Sequence, residues 1–134
     1  MKFVFTSLFL SGLALAQPLP EKDWIVEHQQ SRWKIQAWYE KQAVCLRLIQ
    51  LSPGPAPVEL SLKDYPPGYR DGIDGYVSGV FQKATDGNYR LPLASPAPGR
   101  HRFEVSCYFR IPGRDAHRTD LQSVQRLTGW THRF

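Results

Sequence analysis

The chain is poor in the features that announce chemistry. It has two cysteines in 134 residues and no Cys-x-x-Cys pair, so a cysteine-built metal site is excluded. HExxH and the nucleophile elbow Gly-x-Ser-x-Gly are both missing, which removes the signatures of zinc proteases and of α/β-hydrolases. Internal repeats and low-complexity tracts are absent, so a solenoid is excluded. The longest apolar or small run, Phe3 to Ala16, has 14 residues, short of the ~20 a membrane-spanning helix needs.

That run has another reading. Lys2 supplies a positive start, and Ala14-Leu15-Ala16 has the small-x-small form of a cleavage site, so residues 1–16 are expected to be a secretory signal peptide. Residue 17 is Gln rather than Cys, which gives no indication of a lipid anchor. Residues 17–134 then form the mature chain, 134 − 16 = 118 residues, enough for one domain with one core. Cys45 and Cys107 both lie in that part. In an oxidising compartment, secreted or periplasmic, the expectation is a Cys45–Cys107 disulfide. It would close a loop of about sixty residues and stabilise the fold by roughly 4 kcal/mol in the chain-entropy picture.

The net charge is +5, or +4 without Lys2, and eleven arginines outnumber six lysines. Arginine presents a planar fork of donors suited to phosphates and carboxylates. A basic exported protein meets nucleic acid, acidic glycans and lipid headgroups, although a charge of this size also serves solubility.

Period-2 alternation dominates the rest. Residues 100–111, RHRFEVSCYFRI, place Phe103, Val105, Cys107, Phe109 and Ile111 on one parity and Arg102, Glu104, Ser106, Tyr108 and Arg110 on the other. That is a half-buried strand, bracketed by SPAPG and Pro112-Gly113. Residues 32–40 alternate Trp33, Ile35, Ala37 and Tyr39 against a polar face carrying Trp38, and 42–51 form a second strand. Trp24–Val26, Val58–Leu62, Tyr76–Gln82 (with Gly79 marking a bulge) and Tyr89–Leu93 supply further strands, the last after an Asp-Gly turn at 86–87. In the tail, Leu121, Val124 and Leu127 have helical spacing, but 124–134 also reads as a last strand, which is preferred.

Seven or eight short strands with turns every 8–12 residues predict an all-β, antiparallel sandwich with a possible short C-terminal helix. Two strand-borne cysteines 62 residues apart, together with PAPGRHRFEVSC, resemble immunoglobulin-like domains at the level of pattern. No tryptophan follows Cys45 at that family's offset, and Val105 stands where its corner tyrosine would be. The resemblance therefore implies an architecture of about seven strands and an inter-sheet bridge, not membership.

Four constellations are candidates for function. Trp38, tryptophan among polar neighbours, is a stacking platform for sugars or bases. Arg102, Tyr108, Arg110 and Arg114, with Arg100, Arg118, His101 and His117 nearby, form a basic, aromatic-bearing face suited to an anionic polymer, with Glu104 in the same row offsetting the charge. Asp71 and Asp74 sit in a glycine-rich loop, where carboxylates can ligate calcium but more often make turns. Finally, GVFQ…RLPL…HRFEV…TGWTHRF resembles the motif order of the microbial ribonucleases. That resemblance implies Glu104 as general base, His132 as general acid, and Arg110 or Arg114 as phosphate ligand. Here the glutamate is displaced by two positions, Arg102 standing in its place, and otherwise the four histidines read as scattered surface residues.

The expectation is a non-catalytic exported binding module for a cell-surface or periplasmic partner, protein or anionic polymer. A ribonuclease-like hydrolase and a structural module of an envelope assembly are the alternatives. No cofactor and no metal are expected.

Overall fold

The computed structural model describes residues 18–111 and 122–134; the expected signal peptide at 1–16, Arg114, His117 and Arg118 lie outside the described residues. Nine strands carry the regular structure: β1 (Lys22–His28), β2 (Ser31–Glu40), β3 (Ala43–Ser52), β4 (Glu59–Tyr65), β5 (Val77–Val80), β6 (Gln82–Lys83), β7 (Tyr89–Pro92), β8 (Arg100–Arg110) and β9 (Gln122–Arg133). They form two antiparallel sheets, ordered β1-β2-β3-β7-β6 and β5-β4-β8-β9. The antiparallel sandwich is thus present. Its first three strands are a meander within one sheet, whereas immunoglobulin domains divide their second and third strands between sheets.

The core lies between the sheets and follows the alternation. From β8, Phe103, Val105, Cys107 and Phe109 are all fully buried; from β4 come Leu60 and Leu62, and from the facing sheet Val26, Ile35, Ala37, Val44 and Leu46. The β2–β3 connection is a two-residue hairpin turn at Lys41-Gln42, with φ of 51° and 60°. Both residues occupy the left-handed region, whose twist matches the flanking strands, at a cost of about 1–2 kcal/mol each because neither is glycine.

The tail is a strand, and a bulge brings two of its residues three apart to the same side. Leu127 pairs with Val105 and Trp130 with Phe103, with a register shift between them. Gly129, at φ 89°, sits in that shift. The extra residue lets Leu127 and Trp130, three apart, both point inward, where a regular strand would turn one of them outward. Of the residues whose spacing suggested a helix, Leu127 points inward, Val124 faces solvent, and Leu121 lies outside the described residues.

Both sides of the sandwich are closed. Residues 77–83 begin in one sheet as β5 and end in the other as β6, with buried Phe81 at the crossing and its N–H bonded to the Leu60 carbonyl. Gly79 serves close approach here: an added Cβ would lie 2.8 Å from Leu91 Cδ1 of the opposite sheet. On the other side, the Trp24 indole N–H donates to the Thr128 carbonyl at 2.8 Å, and the Gln125 amide donates to the Glu27 carbonyl, joining β1 to β9.

The expected Cys45–Cys107 bridge is not formed; both are free thiols. Strand parity is the reason. Val44 and Leu46 point into the inter-sheet core, so Cys45 between them points to the outer face of its sheet, where it packs with Trp38 and Ala43. Cys107 points inward. A layer of backbone separates the two side chains, and a disulfide requires Cβ atoms about 3.5–4.5 Å apart. Burial pushes the Cys107 thiol up to about 12 and also raises the Cys45 thiol, with Arg90 pulling the latter the other way. Thiol titration of the purified protein should therefore find both cysteines inert until denaturant is added, then two thiols without reductant. Gly129→Ala should destabilise the fold by about 1–2 kcal/mol through its positive φ, read from urea unfolding.

Candidate anion-binding face

The inward row of β8 fixes the direction of its outward row. Arg100, Arg102, Glu104, Ser106, Tyr108 and Arg110 share the outer face of the four-stranded sheet. Register brings neighbours to them that spacing along one strand cannot reveal. Tyr65 and Thr131 flank Arg102, Lys63 stands opposite Glu104, Arg126 opposite Ser106, Val124 opposite Tyr108, and Arg133 opposite Arg100. The face therefore carries Lys63, Arg100, Arg102, Arg110, Arg126 and Arg133 against two carboxylates, Glu59 and Glu104. The other sheet's outer face is mixed in sign: Asp23, Glu27 and Glu40 accompany Arg32, Lys34, Arg47 and Arg90, with a 2.9 Å ion pair from Arg32 to Glu27.

Aromatic rings gather at one end of the basic face. Tyr65 packs on Tyr69 and Tyr76 at 4.8 and 5.3 Å between centroids, the Arg102 guanidinium lies 4.1 Å from the Tyr65 centroid, and Lys63 Nζ lies 5.1 Å from that of Tyr76. Tyr65, Tyr69, Arg100, Arg102 and Thr131 line a shallow pocket of about 240 Å³ there. Arg110 is eight residues along β8 from Arg102, which at ~3.4 Å per residue puts it about 27 Å away. The predicted set Arg102, Tyr108 and Arg110 is thus a long track rather than one small-molecule pocket, and Arg114 lies outside the described residues.

Trp38 is not the expected platform. It is on the polar face of β2 as its parity required, but only 2 % exposed, with the Arg47 guanidinium 4.7 Å from its ring centroid. The cation covers the surface that a sugar or base would need.

The ribonuclease-like set is not brought together. Glu104 is on the outer face of β8, whereas His132, paired with inward-facing His101, lies on the inner face of the same sheet. His132 Nδ1 is 2.6 Å from Glu21 Oε1, an oxygen that also accepts from the Trp130 indole at 3.2 Å. Arg110 is at the other end of β8.

The described histidines are not surface decoration. His28 stacks on Phe109 at 4.6 Å and 11°. His101 is buried: its Nδ1 lies 2.7 Å from Asp64 Oδ1 and its Nε2 2.7 Å from the Ala97 carbonyl. These two contacts tie β4, β8 and the 95–99 turn together. This buried pair was hidden in the sequence because Asp64 ends one strand and His101 begins another 37 positions later; only the β4–β8 register joins them.

The Asp71–Asp74 loop is a clamped turn. Asp74 accepts the Arg70 backbone N–H at 2.7 Å and its guanidinium at 3.1 and 3.2 Å, and these bonds hold its carboxyl below the ordinary range. Asp71 accepts from the Tyr69 hydroxyl at 3.3 Å. Asp74's lone pairs are thus already engaged by Arg70.

The chain matches no family model, no curated protein and no solved structure.

Asp64→Ala should destabilise the fold by about 1–3 kcal/mol, since it strands the buried His101 Nδ1 without its partner. The Asp64→Leu/His101→Leu double variant should lose less than Asp64→Ala alone. Chemical denaturation of the two variants measures the difference.

Proposed function

We propose that the protein is an exported, non-catalytic sandwich module that binds an anionic polymer along the outer face of its four-stranded sheet. The observation that carries this reading is the segregation of charge. Six cations face one way with two carboxylates among them, one of which, Glu104, stands opposite Lys63. Like charges on neighbouring strands disfavour the free fold, and an anionic partner relieves that repulsion. The length of the track, about 27 Å from Arg102 to Arg110, suits an extended chain such as single-stranded nucleic acid or an acidic glycan. The apolar-to-small leader at residues 1–16 supports export to a periplasm or to the cell exterior. The reading rests on the sandwich and this face, and not on kinship with immunoglobulin domains.

The test is binding to RNA, duplex DNA and an acidic glycan at 50 and 200 mM salt, with analysis of the RNA afterwards. For about four neutralised phosphates, affinity for nucleic acid should fall roughly a hundredfold between those salts. Arg102→Gln/Arg110→Gln should weaken binding about tenfold or more, while Lys34→Gln on the other sheet should leave it nearly unchanged. RNA should be recovered intact. Absence of binding to all three at low salt refutes the proposal and leaves an envelope protein as the partner.

A further inference from the structure

The tyrosine-flanked end of the basic face has a finer organisation than the track as a whole. Arg100 and Arg102 are two apart on β8 and share a face, so their Cα atoms lie about 7 Å apart. Arg133 of β9 is directly opposite Arg100, with Cβ atoms of such a pair about 5 Å apart. Two arginines in direct cross-strand register are mutually repulsive, and none of Arg100, Arg102 and Arg133 forms an ion pair among the described residues. Thr131 completes the group: it faces Arg102 across the ladder and precedes Arg133 by two on the same face, placing a hydroxyl between the two guanidinium-bearing positions.

This end is also built rather than merely charged. The Arg102 guanidinium lies over the Tyr65 ring, a contact that restricts that side chain. Beneath the face, the Asp64–His101 pair lies on the neighbouring residues of β4 and β8, one position from Tyr65 and from both Arg100 and Arg102. The backbone that carries the two arginines is thus anchored from below. The Gly99 and Phe134 backbones continue the β8–β9 ladder past Arg100 and Arg133 with paired bonds of 3.0 and 2.8 Å, so the register that opposes those two residues is held on both sides.

We propose that Arg100, Arg102, Arg133 and Thr131 form a site for a tetrahedral phosphate group, the anchoring point of the polymer track. The site rests on the anion-binding reading above and names the group it selects. Three arginines whose strand positions form a triangle can bring several forks to the oxygens of a phosphate, whereas the two coplanar oxygens of a carboxylate are satisfied by one arginine fork. The polymer is therefore a phosphate-bearing one rather than a carboxylate glycan. Tyr65 is a positioning residue, acting through Arg102.

The experiment is calorimetric titration of the purified protein with inorganic phosphate, with acetate as the planar control, and with polyphosphate as the polymer. Phosphate should bind and acetate should not. Arg102→Gln and Arg133→Gln should each weaken phosphate binding roughly tenfold. Lys34→Gln, on the outer face of the other sheet, should leave it unchanged. Tyr65→Phe should retain the site and Tyr65→Ala should weaken it, a split that the loss of a hydroxyl alone would not produce. Unfolding midpoints no lower than wild type for the arginine variants would show that loss of folding is not what weakened binding. The proposal is overturned if acetate competes as well as phosphate, or if Lys34→Gln weakens binding as much as Arg133→Gln. It is also overturned if polyphosphate binds the Arg100→Gln/Arg102→Gln/Arg133→Gln variant with wild-type affinity, an outcome that leaves the broader anion-binding reading standing. Failure of polyphosphate to bind the wild-type protein removes both.

Discussion

Everything in this sandwich depends on the alternation of β8. Its inward row of Phe103, Val105, Cys107 and Phe109 is completely withdrawn from water, and β4 and β9 pair on either side of it. Burying a large apolar side chain is worth about 1.5–3 kcal/mol, so a one-residue slip that turned this row outward would forfeit several such terms at once. The penalty locks the register, and locking the register fixes the outward row as firmly as the inward one. Arg100, Arg102 and Arg110 share a face because Phe103 and Phe109 must share the other.

Departures from regularity serve the same core. The bulge at Gly129 reconciles a three-residue apolar spacing with a two-residue period, bringing both Leu127 and Trp130 inward. The bent run through Phe81 carries the chain from one sheet to the other on one side, and the Trp24 indole bond to Thr128 holds the sheets together on the other. These devices leave less bare sheet edge for unwanted pairing. They also replace what a disulfide would have contributed: the sheets are joined by apolar contact, side-chain bonds and the crossing strand, and the cysteines occupy the positions of small apolar residues.

Much of the fold was legible from residues taken one strand at a time. The parity of 100–111 and of 32–40 marked Phe103, Val105, Phe109, Ile35 and Ala37 as core, and the turn signals between runs marked a many-stranded antiparallel protein. The candidate site was legible only in its β8 members. Lys63, Tyr65, Arg126 and Arg133 were invisible as partners of Arg102, because pairing across strands depends on register between segments tens of residues apart. The same limit hid Asp64–His101. Trp38 shows a different limit: parity gave its direction, but whether an outward ring is bare depends on the neighbour that lies over it, here Arg47.

The cysteines mark the boundary most sharply. The sequence alone determined that Cys45 and Cys107 each lie within a strand, that apolar and polar residues alternate around Cys107, and that the chain is an antiparallel β-protein with an arginine-rich face. These follow from local sterics and from the cost of burying charge, which act over a few residues. The tertiary structure decided which side of its sheet Cys45 faces, which strands are neighbours, and so which charges stand together. Those depend on the joint burial of Val44 and Leu46 against β8, a contact between distant segments that no local pattern encodes.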